Sequence, residues 1–342
     1  MRNILTLILM TPLFLMSCKG KEKISEEWLS DTDLHIIFYN VENLFDIEND
    51  PATADDEFTP GTEKNWTKDR YEIKLNHLEK VITATGVAPD IIGFCEVENR
   101  GVVEDLMTTG KLRGFDYTIV HKDSPDGRGI DCALAFNSKK VKLLAEDYIE
   151  SKLPVGDRPN TRLAMHTKLL CGDDTLHVFV NHWPSRYGGQ EYSEANRLTV
   201  AHNVRQKLDL IQSRDPNAQI LLMGDFNDYP NNKSLNKVLG AGNGDRYPFQ
   251  NLMWNKHKSG QGSYNYKGDW GCLDQFIVSE NLVNGEGNWA TSEDSAEIVR
   301  RDWMMYVNDE GEAYPSRTYG GPNYYGGYSD HLPIYLILDN ID

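Results

Sequence analysis

Short segments rich in apolar and β-branched residues recur along this chain, and several of them end in an acid, an amide or a histidine. His35 to Tyr39, Ile91 to Cys95, Tyr117 to Val120, Cys132 to Phe136, Ala164 to Leu170, His177 to Val180, Ile220 to Met223, Leu273 to Val278 and Ile334 to Leu338 read as strands. Helix-period stretches lie between some of them. In Tyr71 to Thr83, the side chains of Ile73, Leu75, Leu78, Val81 and Ile82 share a face, and Glu194 to Ile211 is a second such stretch. The pattern is mixed α/β. No internal repeat, low-complexity block or Pro/Gly-rich linker divides the strands into independent sets, so one large layered domain over residues 34 to 340 is expected.

The N-terminus stands apart. Arg2 followed by the apolar run Ile4 to Met16 has the form of an export signal over residues 1 to 17. The run is shorter than the roughly 20 apolar residues that a membrane span needs. Leu15-Met16-Ser17-Cys18 is similar to a bacterial lipobox, which makes Cys18 the expected lipidation site and places the protein, exported and lipid-anchored, at a bacterial cell envelope. Residues 18 to 33 are mostly charged and polar, as expected of a flexible tether.

Removal of residues 1 to 17 takes away Arg2 and no acid, moving the formal charge from −17 to −18. Such charge disfavours nonspecific polyanion binding, yet screening over about 8 Å lets a local basic rim outweigh the total. Cys95, Cys132, Cys171 and Cys272 show no paired short spacing, so neither a zinc site nor a disulfide framework is indicated. Cys95 and Cys132 read as small buried apolar residues.

Chemistry gathers at strand ends. Ile220 to Met223 runs into Gly224-Asp225-Phe226-Asn227-Asp228, where a carboxylate two residues from an amide can orient one water and take its proton; a strand-ending Asx-turn is the structural alternative. Tyr328-Ser329-Asp330-His331 precedes the last strand, in a chain with 9 histidines. Glu96 ends the Ile91 segment, as a surface salt-bridge partner or a hard-metal ligand. Asn40 and Glu42 follow the first strand, Asn181-His182-Trp183-Pro184-Ser185 follows another, and Leu273-Asp274 opens a further one.

In this order the clusters N-x-[DE], E, N-H-x-x-S, G-D-F-N, L-D and S-D-H resemble the endonuclease/exonuclease/phosphatase family, over about residues 34 to 339. The resemblance implies a four-layer α/β/β/α sandwich with two mixed β-sheets and a site where strand-terminal loops converge. It assigns Asn40, Glu42, Glu96 and Asp330 to a metal neighbourhood, with Glu96 the direct ligand, and Mg²⁺, with Mn²⁺ as a substitute, suits such oxygen donors. It gives Asp225 the attacking water with help from Asn227, and gives the phosphate to His331 paired with Asp274. His182 stands where the family has histidine or tyrosine beside the scissile phosphate. Glu42, where some members carry Asp, and Gln275, where a tyrosine often follows the aspartate, depart from the pattern.

The expected reaction is therefore metal-dependent hydrolysis of a phosphoester by in-line attack of water, with nucleic acid as the first expected substrate. A phosphatase or phospholipase-like esterase acting on a sugar, inositol or lipid phosphate is the alternative, and a catalytically silent binding protein a third reading. Ser185, Arg128 and Arg186 are substrate-binding candidates at the rim, with Arg162 and Arg197 as further basic residues, and for each of these four arginines the other reading is a surface ion pair. Tyr314, Tyr319, Tyr324, Tyr325 and Tyr328 lead into Asp330 and suit either base stacking or a loop packed by its own aromatics. No protein partner is expected.

Overall fold

The computed structural model describes residues 32–157 and 159–342. The expected export segment, Cys18 and nearly all of the tether lie outside these residues.

Two seven-stranded sheets organise the chain. The first is built around a βαβ unit, β1 (Leu34–Leu44), α1 (Lys68–Ile82) and β2 (Ile91–Val97), whose strands pair in parallel. α2 (Arg100–Met107) leads to β3 (Tyr117–His121) and β4 (Asp131–Asn137), which extend this sheet antiparallel beyond β2. On the other side of β1 lies the C-terminal strand Ile334–Asn340, also antiparallel.

The second sheet repeats the device. Here β5 (Val141–Ile149), β6 (Ala164–Cys171) and β7 (Asp174–His182) form an antiparallel meander. The long helix α3 (Gln190–Arg214) then crosses over to β8 (Gln219–Asp225), which pairs parallel with β7. Asp274–Ser279 joins β8 antiparallel, and Phe249–Asn251 follows it.

Both faces of each sheet are covered, which explains why the central strands are almost continuously apolar. Alternate residues of β1 separate the layers. Ile36 and Phe38 meet Val178, Leu221, Met223 and Phe276 between the sheets, while Ile37 and Tyr39 pack outward with Leu75, Leu78 and Val102 of α1 and α2. On the outer face of the second sheet, Val200, Val204 and Leu208 of α3 cover Phe179, Ile220 and Leu222. The result is the expected four-layer sandwich.

The sequence reading passed over β5 and α2. β5 is an edge strand with much of its length exposed, and Lys142, Glu146 and Asp147 break its apolar pattern. Charge on an edge strand hinders pairing with another chain. α2 is short, but Asn99 caps it by accepting from the Val102 N–H at 3.1 Å. The described cysteines are free and buried, and Cys95 and Cys132 face each other across β2 and β4.

Candidate active site

Strand register brings distant residues into one row. Asp225, the last residue of β8, lies opposite His182 on β7 and opposite Asp274 on the other neighbouring strand. Close approach within the β7–β8 pair demands the glycine before it: a Cβ on Gly224 would sit 2.3 Å from the Asn181 carbonyl oxygen. The sheets face each other, so the ends of β1 and β2 deliver Asn40 and Glu96 to the same region. Glu42, Asn43, Glu96 and Asn227 all have positive φ, at 52°, 53°, 65° and 50°. Each such residue costs on the order of 1–3 kcal/mol, a strain concentrated at these strand ends.

Asp225 is the centre. Its Oδ2 accepts a hydrogen bond from Asn40 Nδ2 at 3.1 Å and lies 3.8 Å from both His182 Nε2 and His331 Nε2. Its Oδ1 accepts from the Asn227 N–H at 2.9 Å, an Asx-turn that fixes the carboxylate's orientation. The Asn227 side chain is itself held, its Nδ2 donating to the Trp183 carbonyl at 3.0 Å. Burial pushes the Asp225 carboxyl up to about 7; His331 opposes the shift, and Asp274 and Glu96 add to it.

His331 and His182 take opposite states. Burial alone would discharge His331, but Asp274, whose Oδ2 is 2.7 Å from Nδ1, outweighs it with help from Asp225 and holds the imidazole well above its ordinary value. His331 is therefore a cation at neutral pH. Burial, reinforced by Arg162 and Arg128, holds His182 well below its ordinary value and neutral. Its Nδ1 is buried without a hydrogen-bond partner among the described residues. Ser263 Oγ donates to the same Asp274 oxygen at 2.5 Å, and Ser329 Oγ accepts from the His331 N–H while donating to the Asn40 carbonyl.

The donor set fits a hard divalent cation beside Glu96 and Asp225. Glu96 Oε2 accepts from the Asn43 N–H at 3.1 Å, while Oε1 lies 3.9 Å from His182 Nε2. The Asp225, Asp274 and His331 donor atoms lie within 4.8 Å of one another, and Asp274 Oδ1 is a buried orphan. A cation there would offset the burial and the neighbouring carboxylates that raise Asp225. Glu42 is placed differently. Its carboxylate accepts from the Thr318 and Tyr319 N–H groups at 2.6 and 3.3 Å and lies 3.5 Å from Arg317 Nε. Asp330 is paired with the same Arg317 at 2.9 Å. Of the metal neighbourhood expected from sequence, Asn40 and Glu96 therefore face Asp225, whereas Glu42 and Asp330 are engaged by the Arg317 segment.

The model of the Endonuclease/Exonuclease/phosphatase family matches residues 35–340. The chain belongs to this family. It is similar in structure to a humanized D. rerio TDP2, at 14% identity and TM-score 0.56, over 91% of this chain and 100% of that one. A human Nocturnin catalytic domain with bound sulfate gives 16%, 0.52, 91% and 95% in the same order. A mannosyl-6-phosphatase of Bacteroides thetaiotaomicron gives 16%, 0.52, 89% and 99%. At these identities the likeness shows the fold. No curated protein sequence matches the chain. As a member of the endonuclease/exonuclease/phosphatase family, it is a hydrolase of phosphoester bonds.

The basic residues expected at the rim of this family site divide by burial. Arg197 is fully buried, its Nε 2.8 Å from Asp228 Oδ1, and it braces the Asp225–Asp228 loop from α3. Arg186 donates to the Asn227 carbonyl at 2.9 Å and lies over the Tyr229 ring at 4.1 Å, so it too supports that loop. Ser185 is exposed, with its carbonyl taken by Arg197. Arg162, buried, donates to the Trp183 carbonyl and to Asp126. Arg128 donates to Asn43 Oδ1 at 2.7 Å, which places it behind the Glu96 anchor. A cavity of about 270 Å³ lined by Asp46, Glu98, Asp123 and Asp131 opens beside this edge, acidic and outside the cluster around Asp225.

Sequence reasoning missed Lys74, Ser263, Asp228 and Tyr264. Lys74, on α1, is buried and donates to Thr318 Oγ1 and the Tyr328 carbonyl, both at 2.6 Å. A lysine amid the apolar positions of a helical face is a readable anomaly, since unpaired lysine is almost never fully buried.

Proposed function

We propose that the protein is a Mg²⁺-dependent phosphoesterase, with Mn²⁺ able to replace Mg²⁺, that hydrolyses compact phosphoesters by in-line attack of water. The observation that carries this reading is the convergence on Asp225 of one neutral imidazole, one cationic imidazole and a fixed amide. Asp225, raised toward neutrality, is suited to accept the proton of the attacking water, which Asn227 helps to orient. His331, kept charged by Asp274, holds a phosphate oxygen. His182 offers a neutral hydrogen-bonding group to a non-bridging oxygen or to the leaving group. Glu96, with Asp225 and Asn40 close by, would hold the metal, which when bound would supply charge neutralisation for the phosphate and the departing oxygen.

Compact substrates are favoured over nucleic acid by the fate of the tyrosine-rich segment. Arg70 lies over Tyr324 at 4.1 Å, Lys80 over Trp303 at 4.0 Å, and Lys64 over Tyr319 at 4.9 Å. Of the tyrosines that suited base stacking, Tyr319, Tyr324 and Tyr328 are thus spent on packing against the α1 region, while Tyr325 stays exposed. If Cys18 carries a lipid anchor, as its lipobox-like setting proposes, the tether joins β1 at Leu34, the end of the strand remote from Asn40. The flexible tether expected from the sequence leaves the site of such an envelope-bound, exported protein free to meet both dissolved and membrane-borne phosphoesters. Globomycin sensitivity and palmitate labelling test the anchor.

Mg²⁺-dependent hydrolysis of p-nitrophenyl phosphate and bis-p-nitrophenyl phosphate, followed by panels of sugar phosphates, DNA and RNA, tests the reaction. Turnover of small phosphoesters above nucleic acid is expected. Preferred turnover of DNA or RNA overturns the substrate reading, and binding of metal without hydrolysis of any of these favours the silent binding protein.

A further inference from the structure

The hairpin formed by Tyr264–Tyr266 and Asp269–Gly271 belongs to neither sheet, yet it is fastened to the site at several points. Ser263, just before it, donates through Oγ to Asp274, and its carbonyl accepts from the Leu332 N–H at 2.7 Å. Tyr264 forms a backbone bridge with His331, and its ring lies 4.8 Å from the imidazole, tilted by 34°. At its far side, Asn265 Nδ2 donates to the Ala313 carbonyl at 3.2 Å. Tyr264 is therefore fixed against the residue that holds phosphate in the proposed reaction, on a rigid element.

Its hydroxyl has no protein partner among the described residues, although the side chain is half-buried. The charged groups that act on it are Asp330, Arg317 and Asp225, all at the site. Burial first, then Asp330, pushes the phenol up to about 12, so it keeps its proton throughout the working range and serves as a donor. A half-buried donor beside a cationic imidazole is a ready partner for an anionic oxygen.

We propose that Tyr264 is a further catalytic residue, whose hydroxyl donates a hydrogen bond to a phosphate oxygen of the substrate alongside His331. The inference rests on the phosphoesterase reading of this site. It gives the site a second fixed donor from a different chain segment, and it makes the hairpin part of the phosphate pocket.

Tyr264→Phe tests it, because phenylalanine keeps the ring against His331 and the backbone bridge while losing the donor. Expected are a fall of about 10- to 100-fold in kcat/KM and a similar weakening of inorganic phosphate binding, read by calorimetry. Thermal stability and Mg²⁺ affinity should stay at wild-type values, and Tyr266→Phe, on the exposed side of the same hairpin, should behave as wild type. Wild-type phosphate binding and turnover in Tyr264→Phe overturn the proposal and leave the phosphoesterase reading intact. Phosphate binding weakened by Tyr264→Phe in a protein that hydrolyses no phosphoester sustains Tyr264 as an anion donor and removes the reaction. Phosphate binding absent from the wild-type protein overturns both.

Discussion

Each half of the sandwich presents its reacting groups from a parallel strand pair joined by a helix, and each buries one basic residue of that helix beneath the strand ends. In the first half it is Lys74 of α1, and in the second Arg197 of α3. The two cations are used differently. Arg197 is satisfied within its own half, with donors to the Pro184, Ser185 and Gln190 carbonyls and to Ser193, and with Asp228 as counter-ion. Lys74 reaches instead to Thr318 and Tyr328, far along the chain, and burial lowers it to about 8. A guanidinium presents five donors in a fixed fork, an ammonium a single compact charge. The second half is thus a locally completed support for Asp225, whereas the first is completed only when residues 316–328 dock on it.

The largest effect should separate the carboxylates of the two halves. Asp225→Asn should lower kcat by about 10³-fold or more, the range of a lost general base. Glu42→Gln should cost roughly tenfold, about 1.4 kcal/mol, because Glu42 is occupied by Thr318, Tyr319 and Arg317. Steady-state kinetics with circular dichroism as a folding control would check this. Equal losses would mean that Glu42 leaves its backbone partners to join the reacting centre.

Next comes stability. Arg197→Met strands Asp228, 1% exposed, without its buried counter-ion, which typically costs about 3–5 kcal/mol. Ser234 and Arg186 still reach Asp228 at 2.6 and 3.4 Å, so the lower end is expected. Lys74→Met should cost less globally, since Glu42 keeps its two N–H donors, but it should open the 316–328 segment to trypsin at Arg317. A uniform, two-state loss in both variants would break the distinction between a self-contained half and a docked one.

How far these features were legible in the sequence follows the same division. The strands ending in Asn40, Glu96, His182 and Asp225 announce themselves, because burial on both faces makes them apolar until the polar residue that ends them. Pairing of His331 with Asp274 at 2.7 Å agrees with the expected pair. What strand ends cannot disclose is which way a carboxylate turns. Glu42 and Glu96 read alike, and only the docking of Thr318 and Tyr319, some 276 residues on, separates them. Arg197 and Arg186 looked like rim cations because helix periodicity does not reveal the buried acid that Asp228 supplies. Tyr264 escaped notice because its hairpin is too short for a strand pattern, with Lys267 and Gly268 at the turn.

A smaller effect should come from pH. The Asp225 carboxyl is raised to about 7 from an ordinary value near 3.9. Between those values the folded protein keeps a proton that the unfolded chain has lost, so this stabilising contribution is full at low pH and disappears as pH rises through about 7. Metal-free protein should lose on the order of 1 kcal/mol between pH 6 and 8, a few degrees in Tm. Mg²⁺ should restore it, and Asp225→Asn should flatten the profile. A flat wild-type profile without metal would show that burial, with Asp274 and Glu96 beside it, does not hold the proton on Asp225.

The smallest expected effect lies away from the site, in the sheet of the second half. His166 on β6 and His177 on β7 stack with ring centroids 5.2 Å apart, with His166 Nε2 and His177 Nδ1 separated by 2.9 Å. Burial, with the neighbouring imidazole second, holds His166 down at about 3. Burial, with Lys168 second, holds His177 at about 4. Both are depressed bases: above about 6.5 the pair is neutral in both states, and below that the unfolded chain binds protons that the folded chain refuses. Their contribution is present above about 6.5 and lost as pH falls toward those values. His166→Phe removes one refused proton and keeps a ring on Phe179, now 4.5 Å from His166. The variant should match or slightly trail wild type at pH 7.5 and exceed it at pH 5 by on the order of 1 kcal/mol, about 2–4 °C in Tm. A difference between variant and wild type that does not change with pH would remove the pair as the source of acid lability. Hydrogen exchange at pH 5 that opens β6 and β7 before β1 and β2 would locate that lability in the half that is otherwise the better supported.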